Sequence, residues 1–202
     1  MEFKNVYNQD TSLLMGNVGD VTSTQIVEKL GFQAIGTSSA VIANILGYKD
    51  GEKMKFSELS YVVDRMIENT YLPLSVDIES GYSREPDEIA DNIKTRVNLG
   101  VVGINIEDNV VTKKRIQLFE YAGADGIFVP CIENEDDIQA ITESSYLPIN
   151  DMCKPNLSDF RKRKDLGVKR ISMFNFLFAN MYCHFENILK SVVKLQTFKS
   201  VL

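Results

Sequence analysis

Four times along this 202-residue chain a helix-like segment ends in a glycine and runs at once into an apolar stretch. The four are Leu30-Gly31-Phe32-Gln33-Ala34-Ile35, Leu99-Gly100-Val101-Val102-Gly103-Ile104, Ala122-Gly123-Ala124-Asp125-Gly126-Ile127 and Leu166-Gly167-Val168-Lys169-Arg170-Ile171. Glycine suits the left-handed position that closes a helix, and the apolar run after it suits a strand buried on both faces. The repeated unit is therefore helix, glycine, strand.

Strands are expected at residues 13–17, 33–37, 73–77, 101–107, 124–129, 147–150 and 169–173. Between them, Thr22 or Ser23 is the expected N-cap of a helix over 24–30, and Ser57 of one over 58–69. Pro86 fits the first turn of a helix over 87–99, Ser158 caps 159–166, and residues 113–121 read as a further helix. Such alternation implies a parallel sheet, closed as an open doubly wound sheet or as a (β/α)8 TIM-type barrel. Polar residues gather just past the strand ends, in Thr37-Ser38-Ser39, Asp77-Ile78-Glu79, Glu107-Asp108 and Asn150-Asp151. Both architectures place their site at that rim, but acids from several strands converge more naturally in a barrel. The expected organisation is an α/β barrel over residues 1–173 and a helical segment over 174–202, where apolar residues from Phe176 to Leu195 recur at helical spacing.

One interval breaks the rhythm. Only residues 108–123 separate Glu107 from the strand starting at Ala124, whereas a barrel of ~250 residues allots roughly thirty to each of its eight units. The chain is about one βα unit short of closure, at the place of the fifth strand. Either the barrel is incomplete, or residues belonging between about Val110 and Lys114 are missing from this sequence.

The richest single stretch is Leu72-Pro73-Leu74-Ser75-Val76-Asp77-Ile78-Glu79-Ser80-Gly81-Tyr82, an apolar run that ends in two carboxylates and a glycine. On an extended chain Asp77 and Glu79 would point to the same side, and like charges held together call for a cation. For oxygen-only ligands a hard divalent ion, Mg²⁺ or Mn²⁺, is the natural partner; the alternative is a pair of solvated loop residues. Gly36-Thr37-Ser38-Ser39-Ala40 follows a strand and opens a helix, so it either offers backbone N–H groups to a carboxylate or phosphate or simply caps the helix through serine. Asp50, in Gly47-Tyr48-Lys49-Asp50-Gly51, reads on its own as a turn residue. The one histidine, His184, falls in the apolar C-terminal segment and reads as a packing or surface residue rather than a catalytic base.

A net charge of −6 argues against nucleic acid or an anionic membrane as the main partner, and no stretch approaches the length of a membrane span. The three cysteines, Cys131, Cys153 and Cys183, have neither disulfide nor zinc spacing and read as buried thiols of a reducing compartment. A cytoplasmic protein is expected.

Taken in order, Gly16-Asn17-Val18-Gly19-Asp20, Gly31 to Ala40, Leu46-Gly47-Tyr48-Lys49-Asp50-Gly51, Ser75 to Tyr82, Gly103-Ile104-Asn105-Ile106-Glu107-Asp108 and Gly123 to Pro130 resemble the isocitrate lyase / phosphoenolpyruvate mutase superfamily, over about Leu13 to Met173. The methylisocitrate-lyase-like and phosphonomutase-like branch is the nearest in pattern. The resemblance implies a barrel that binds Mg²⁺ and a small 2-oxo or 2-hydroxy di- or tricarboxylate, and makes or breaks a C–C or P–C bond beside the carboxylate through an enolate. Asp50, Asp77, Glu79 and Glu107 match the family's metal-holding acids, with Glu79 standing where the mutase branch often has aspartate. Thr37, Ser38 and Ser39 match the stretch that receives the substrate's carboxylate. The family also implies a homo-oligomer, dimer or tetramer, with the C-terminal helix exchanged between subunits.

The departures are as definite. Where true lyases carry a Lys-Lys-Cys-Gly-His lid, this chain reads Asn109-Val110-Val111-Thr112-Lys113-Lys114, and the strand ending in a clamp arginine has no counterpart. No catalytic residue is assigned. The expected activity is a carbon–carbon lyase. Phosphonomutase or oxaloacetate-hydrolase-like chemistry is the alternative within enzymes, and a degenerate barrel serving as a carboxylate-binding or structural subunit the alternative outside them.

Overall fold

The computed structural model describes residues 12–107, 113–154 and 159–201. Seven strands, all parallel, form one sheet: β1 (Leu13–Val18), β2 (Ala34–Thr37), β3 (Leu74–Asp77), β4 (Gly103–Asn105), β5 (Ile127–Phe128), β6 (Ile149–Met152) and β7 (Arg170–Ser172). The order across the sheet is β4-β3-β2-β1-β7-β6-β5. First and last strands pair, Leu13 with Arg170 and Met15 with Ser172, so the sheet curls on itself as a barrel does. Its two edges, β4 and β5, are the strands flanking the short connection. The protein is a (β/α)8 TIM-type barrel lacking one unit, with the gap at the fifth strand position.

Eight helices accompany the strands among the described residues: α1 (Val21–Lys29), α2 (Ser39–Ile45), α3 (Phe56–Ile67), α4 (Pro86–Asn98), α5 (Lys113–Tyr121), α6 (Glu135–Ser144), α7 (Phe160–Asp165) and α8 (Phe176–Leu195). Gly31, Gly100, Gly123 and Gly167 all have φ between +80° and +97°, so the recurrent glycine closes its helix in the left-handed conformation. Three caps differ from expectation. Asp20 caps α1, its carboxylate accepting from Ser23 N–H at 2.7 Å while Ser23 Oγ accepts from Asp20 N–H at 3.3 Å. For α3 the reciprocal half dominates: Glu58 accepts from the N–H of Lys55 at 2.9 Å. Asp159 caps α7, whereas Ser158 lies outside the described residues.

The main core lies between the sheet and its helices on the β1–β4 side. Val18, Ile35, Leu74, Val76 and Ile78 meet Val27 of α1 and Leu59, Val63 and Met66 of α3 there. Alternation sends their neighbours inward, so Met15, Asn17, Gly36, Ser75, Asp77 and Asn105 share the inner face in register. Two smaller clusters serve the other side: Ile116, Ile127, Val129 and Ile149, and Ile138, Val168 and Ile171.

One device recurs where the chain leads into β3 and β6. In Thr70-Tyr71-Leu72-Pro73, Glu28 accepts from the Thr70 hydroxyl at 2.8 Å and the Tyr71 N–H at 3.4 Å, while the Leu72 N–H donates to Thr70 Oγ1 at 3.1 Å. In Ser145-Tyr146-Leu147-Pro148, Glu120 accepts from the Ser145 hydroxyl at 2.6 Å and the Tyr146 N–H at 2.9 Å, and the Leu147 N–H donates to Ser145 Oγ at 3.0 Å.

The cysteines correct an expectation. Cys131 and Cys183 are exposed and only Cys153 is partly covered, because Cys131 occupies a left-handed turn at φ +61° and Cys183 the outer side of α8. His184 is exposed on α8. No helix among the described residues is long and apolar enough to cross a membrane.

Candidate active site at the C-terminal rim

Asp77, the last residue of β3, is the hub of the rim. Its backbone N–H donates to Thr37 Oγ1 at 2.9 Å, and its Oδ2 accepts from the Ser39 hydroxyl at 2.8 Å and the Ser39 N–H at 3.4 Å. Oδ1 accepts from the Glu79 N–H at 3.1 Å. The two oxygens have roughly four lone-pair sites, so three accepted bonds leave about one for a further partner. Ser38 caps α2, accepting from Val41 N–H at 3.4 Å. Thr37, Ser38 and Ser39 are thus buried together beside Asp77.

The chain does not stay extended past β3. Glu79 has φ +49°, Gly81 +106° and Tyr82 +59°, so Asp77 and Glu79 are not alternate residues of one strand face as the sequence suggested. Hydrogen bonds impose the bend. Glu52 Oε1 accepts from Ser80 N–H at 3.1 Å, Ser80 Oγ at 2.7 Å and Tyr82 N–H at 3.0 Å, which together with the Asp77–Glu79 bond folds residues 77–82 into a tight turn. Gly81 also leaves room for Ile89, which a Cβ there would meet at 2.8 Å. Glu52 is the residue that the sequence reading missed. The signal was its neighbour Asp50, already counted, in a loop that must lie over the β3 turn in a barrel.

All four expected metal-holding acids face one another electrostatically. Burial, foremost, raises Asp77 against the lowering effect of its hydrogen bonds, and Asp50 adds to the rise. Glu79, buried, is pushed up to about 7 by burial and then by the charges of Asp50, Asp77 and Glu52. Glu107 stands at the exposed end past β4, where what burial it has, followed by Asp77, Asp50 and Glu52, raises its carboxyl as well. Its N–H donates to Glu79 O at 2.6 Å, which fastens the end of β4 to the turn after β3. Asp50 lies exposed in its turn and accepts from Gly51 N–H at 3.1 Å. Tyr82 points its hydroxyl to Glu79 Oε1 at 3.5 Å, and its pKa is raised by burial first and the acid charges next.

Among the described residues no three acids are already drawn together as a formed metal site. The donor set nonetheless fits a hard divalent cation: five carboxylates, oxygen only, with no histidine or cysteine beside them, and three of them disfavoured as free anions by burial and mutual repulsion. Residues 108–112, which include most of the stretch in the place of the family's lid, lie outside the described residues.

Against known proteins, the profile of the phosphoenolpyruvate phosphomutase family matches in two pieces, residues 3–114 and 111–193. The pieces meet between β4 and α5, where the barrel lacks its unit. An uncharacterised protein of Mycobacterium tuberculosis (strain CDC 1551 / Oshkosh) is 28% identical over 214 aligned positions, covering 85% of this chain and 81% of that protein. In structure, a provisionally assigned phosphonomutase from Burkholderia cenocepacia J2315 superposes with TM-score 0.85 at 25% identity, covering 94% of this chain and 97% of that one. Phosphonopyruvate hydrolase, solved in complex with oxalate and Mg²⁺, shares the fold with TM-score 0.86 at 14% identity, over 99% of this chain and 88% of that one. With both sides of the gap matched by one profile, and the strands, acids and serines in the expected order, this chain belongs to the phosphoenolpyruvate phosphomutase family of the isocitrate lyase / phosphoenolpyruvate mutase superfamily.

Proposed function

We propose that this chain is a Mg²⁺- or Mn²⁺-dependent lyase that breaks or forms a C–C bond beside the carboxylate of a small 2-oxo or 2-hydroxy di- or tricarboxylate, through an enolate. The observation that carries this reading is the position of Asp77, hydrogen-bonded to Ser39 on one side and coupled to Asp50, Glu79 and Glu107 on the other. Asp50, Asp77, Glu79 and Glu107 would hold the ion directly or through its water. The bound ion supplies electrophilic stabilisation of an oxygen that gains negative charge as the bond beside it breaks.

The chain's own residues divide the remaining work. Ser39 gives its N–H and hydroxyl proton to Asp77 and so orients that acid, while Ser38, whose oxygen accepts from Val41 N–H, and Thr37 beside it would meet a substrate carboxylate next to the ion. Thr37 fixes the backbone of Asp77, so the acid cannot drift as charge changes around it. Glu79, with its pKa near 7, holds a proton on its carboxyl for part of the time at neutral pH and gives it up when a cation arrives. Glu52 acts through the 80–82 turn and positions Glu79 rather than touching substrate.

Calorimetric titration with Mg²⁺ and oxalate, a mimic of the enolate, tests the site. Metal-dependent oxalate binding is expected, with Asp77→Asn weakening it by about a hundredfold or more, or about 2.7 kcal/mol; a wild-type protein that binds no oxalate with Mg²⁺ sinks the reading. Turnover of phosphonopyruvate rather than of a carboxylate would favour the mutase or hydrolase alternative carried by the named relatives. Oxalate binding with no turnover would favour a carboxylate-binding protein. The same reading includes a homo-oligomer built through α8, whose 20 residues include one buried side chain, Phe178, while Leu177, Met181, Phe185, Leu189 and Val193 are exposed. Sedimentation at several concentrations checks that part.

A further inference from the structure

The turn that follows β3 is held in a conformation its residues would not choose. Three residues other than glycine take left-handed backbone angles in it or in the loop clipped to it: Glu52 at φ +55°, Glu79 at +49° and Tyr82 at +59°. For a side chain as bulky as tyrosine such an angle is an outlier, and it persists only where surrounding contacts over-determine it. Tyr82 has such contacts at both ends. Its N–H donates to Glu52 Oε1 at 3.0 Å, while its ring lies 5.6 Å from that of Phe56, the first residue of α3, tilted by 53°. Phe56 is in turn covered by the guanidinium of Arg96, 5.6 Å from the ring centre. Arg96 is itself tied from α4 to α3, its Nη1 donating to Asp64 at 2.9 Å and to Ser60 O at 3.3 Å.

So held, Tyr82 is aimed at one atom. Its hydroxyl points to Glu79 Oε1 at 3.5 Å, three residues back along the same turn. The backbone N–H of Glu52 acts on the same carboxylate. Ring and hydroxyl therefore have separate duties: Phe56 sets where the ring lies, and Glu79 receives the proton.

A carboxylate with a hydroxyl proton on one oxygen does not offer its two oxygens equally. The bonded oxygen is the weaker donor to a cation, and the pinned group is less free to turn and present both. That difference separates hard divalent ions. Mg²⁺ demands near-octahedral geometry, which a chelating carboxylate fits poorly, whereas Ca²⁺ accepts both oxygens of a carboxylate in a larger and looser shell.

We propose that Tyr82 is a positioning residue that restricts Glu79 to one oxygen and so tilts the rim site toward Mg²⁺ and away from Ca²⁺. The proposal rests on the reading of Asp50, Asp77, Glu79 and Glu107 as metal-holding acids, and it says which ion of the hard divalent class they favour. Tyr82 acts through Glu79 rather than on the ion.

The test uses metal alone. Free Mn²⁺ is counted by its electron paramagnetic resonance signal, and Mg²⁺ or Ca²⁺ is added to displace the bound ion from wild type, Tyr82→Phe and Asp77→Asn. Tyr82→Phe keeps the ring against Phe56 and removes only the hydroxyl. It should weaken Mg²⁺ about tenfold, the scale of a lost outer-shell partner, and leave Ca²⁺ within about twofold, so that the Mg²⁺-to-Ca²⁺ affinity ratio falls about fivefold or more. A residue that serves only packing would lower the melting temperature, or both affinities together, and leave that ratio unchanged, which overturns the proposal. Should Tyr82→Phe fail to fold, Phe56→Leu, which keeps the hydroxyl and frees its ring, decides by the same ratio: a fall upholds the proposal and an unchanged value overturns it. Mn²⁺ binding that is absent from wild type, or undiminished in Asp77→Asn, overturns the metal reading of the rim and this proposal with it. Mn²⁺ binding that depends on Asp77, with the ratio unmoved in Tyr82→Phe, overturns this proposal alone.

Discussion

The two sides of this barrel solve different problems with the same repeated unit. From β1 to β4 the strands are backed by one continuous apolar cluster, and every candidate metal-holding acid stands above it. From β5 to β7 the strands are short, the apolar clusters are small, and the space between sheet and helix holds an ion pair instead, Asp151 with Arg163, both side chains 1% exposed. The β1–β4 side has its own buried arginine, Arg96, but its partner Asp64, at 2.9 Å, keeps 39% of its side chain in solvent. Arg96 also lies over the Phe56 ring. The side without rim acids tolerates charge in its packing.

The largest effect that would break this contrast is expected at Arg163. Replacing it with Met leaves Asp151 buried without its partner and should cost about 3–5 kcal/mol in chemical denaturation; a neutral result would show that the β5–β7 side does not depend on the pair. Next, Leu59→Ala, inside the continuous cluster, should cost about 3 kcal/mol and Ile138→Ala, in the three-residue cluster, about 2. Equal losses would mean that the two cores are equally consolidated.

A pH series sharpens the contrast further. Glu79, about 7 against an ordinary 4.5, and Asp151, about 6 against an ordinary 3.8, are both raised in the folded protein. Their protonated forms favour folding, so this contribution is fully present below pH 4 and lost as pH rises through 6 and 7. The metal-free melting temperature should fall by a few degrees between pH 5 and 8 from these groups. Saturating Mg²⁺ should remove the Glu79 part and leave the Asp151 part, and an unchanged slope would separate Glu79 from the metal. The smallest effect concerns the shared device: Glu28→Ala and Glu120→Ala should each lower the melting temperature slightly and alike, since both release one loop by the same bonds.

Much of this was legible in the chain. The glycines at 31, 100, 123 and 167 marked where helices stop, because only a residue without a side chain takes φ near +90° at no cost. The missing unit showed as an interval too short to hold one. What misled was local. Thr22, Ser23 and Ser57 are as good capping residues as Asp20 and better ones than Lys55, and the choice among them was made by side chains three residues downstream. Asp77 and Glu79 act on each other's charge, but not by alternation along a strand, since that argument holds only while the strand continues, and here Glu52 ends it from twenty-eight residues away. The cysteines were placed by average habit, and the turn at Cys131 overrode it.

The sequence alone determined the helix–glycine–strand repeat, its one short interval and the acids and hydroxyls at strand ends, because period, glycine and strand-end chemistry are written in neighbouring residues, while the choice of a barrel over an open sheet came from the family resemblance and the curl of the sheet. Only the tertiary structure decided that Ser39 grips Asp77, that Glu52 bends the turn beneath Glu79, and that Arg170 reaches Asn105 beside an unpartnered Asn150. Those contacts join residues 28 to 65 positions apart, and the curl of a sheet, rather than any local preference, brings them within bonding distance.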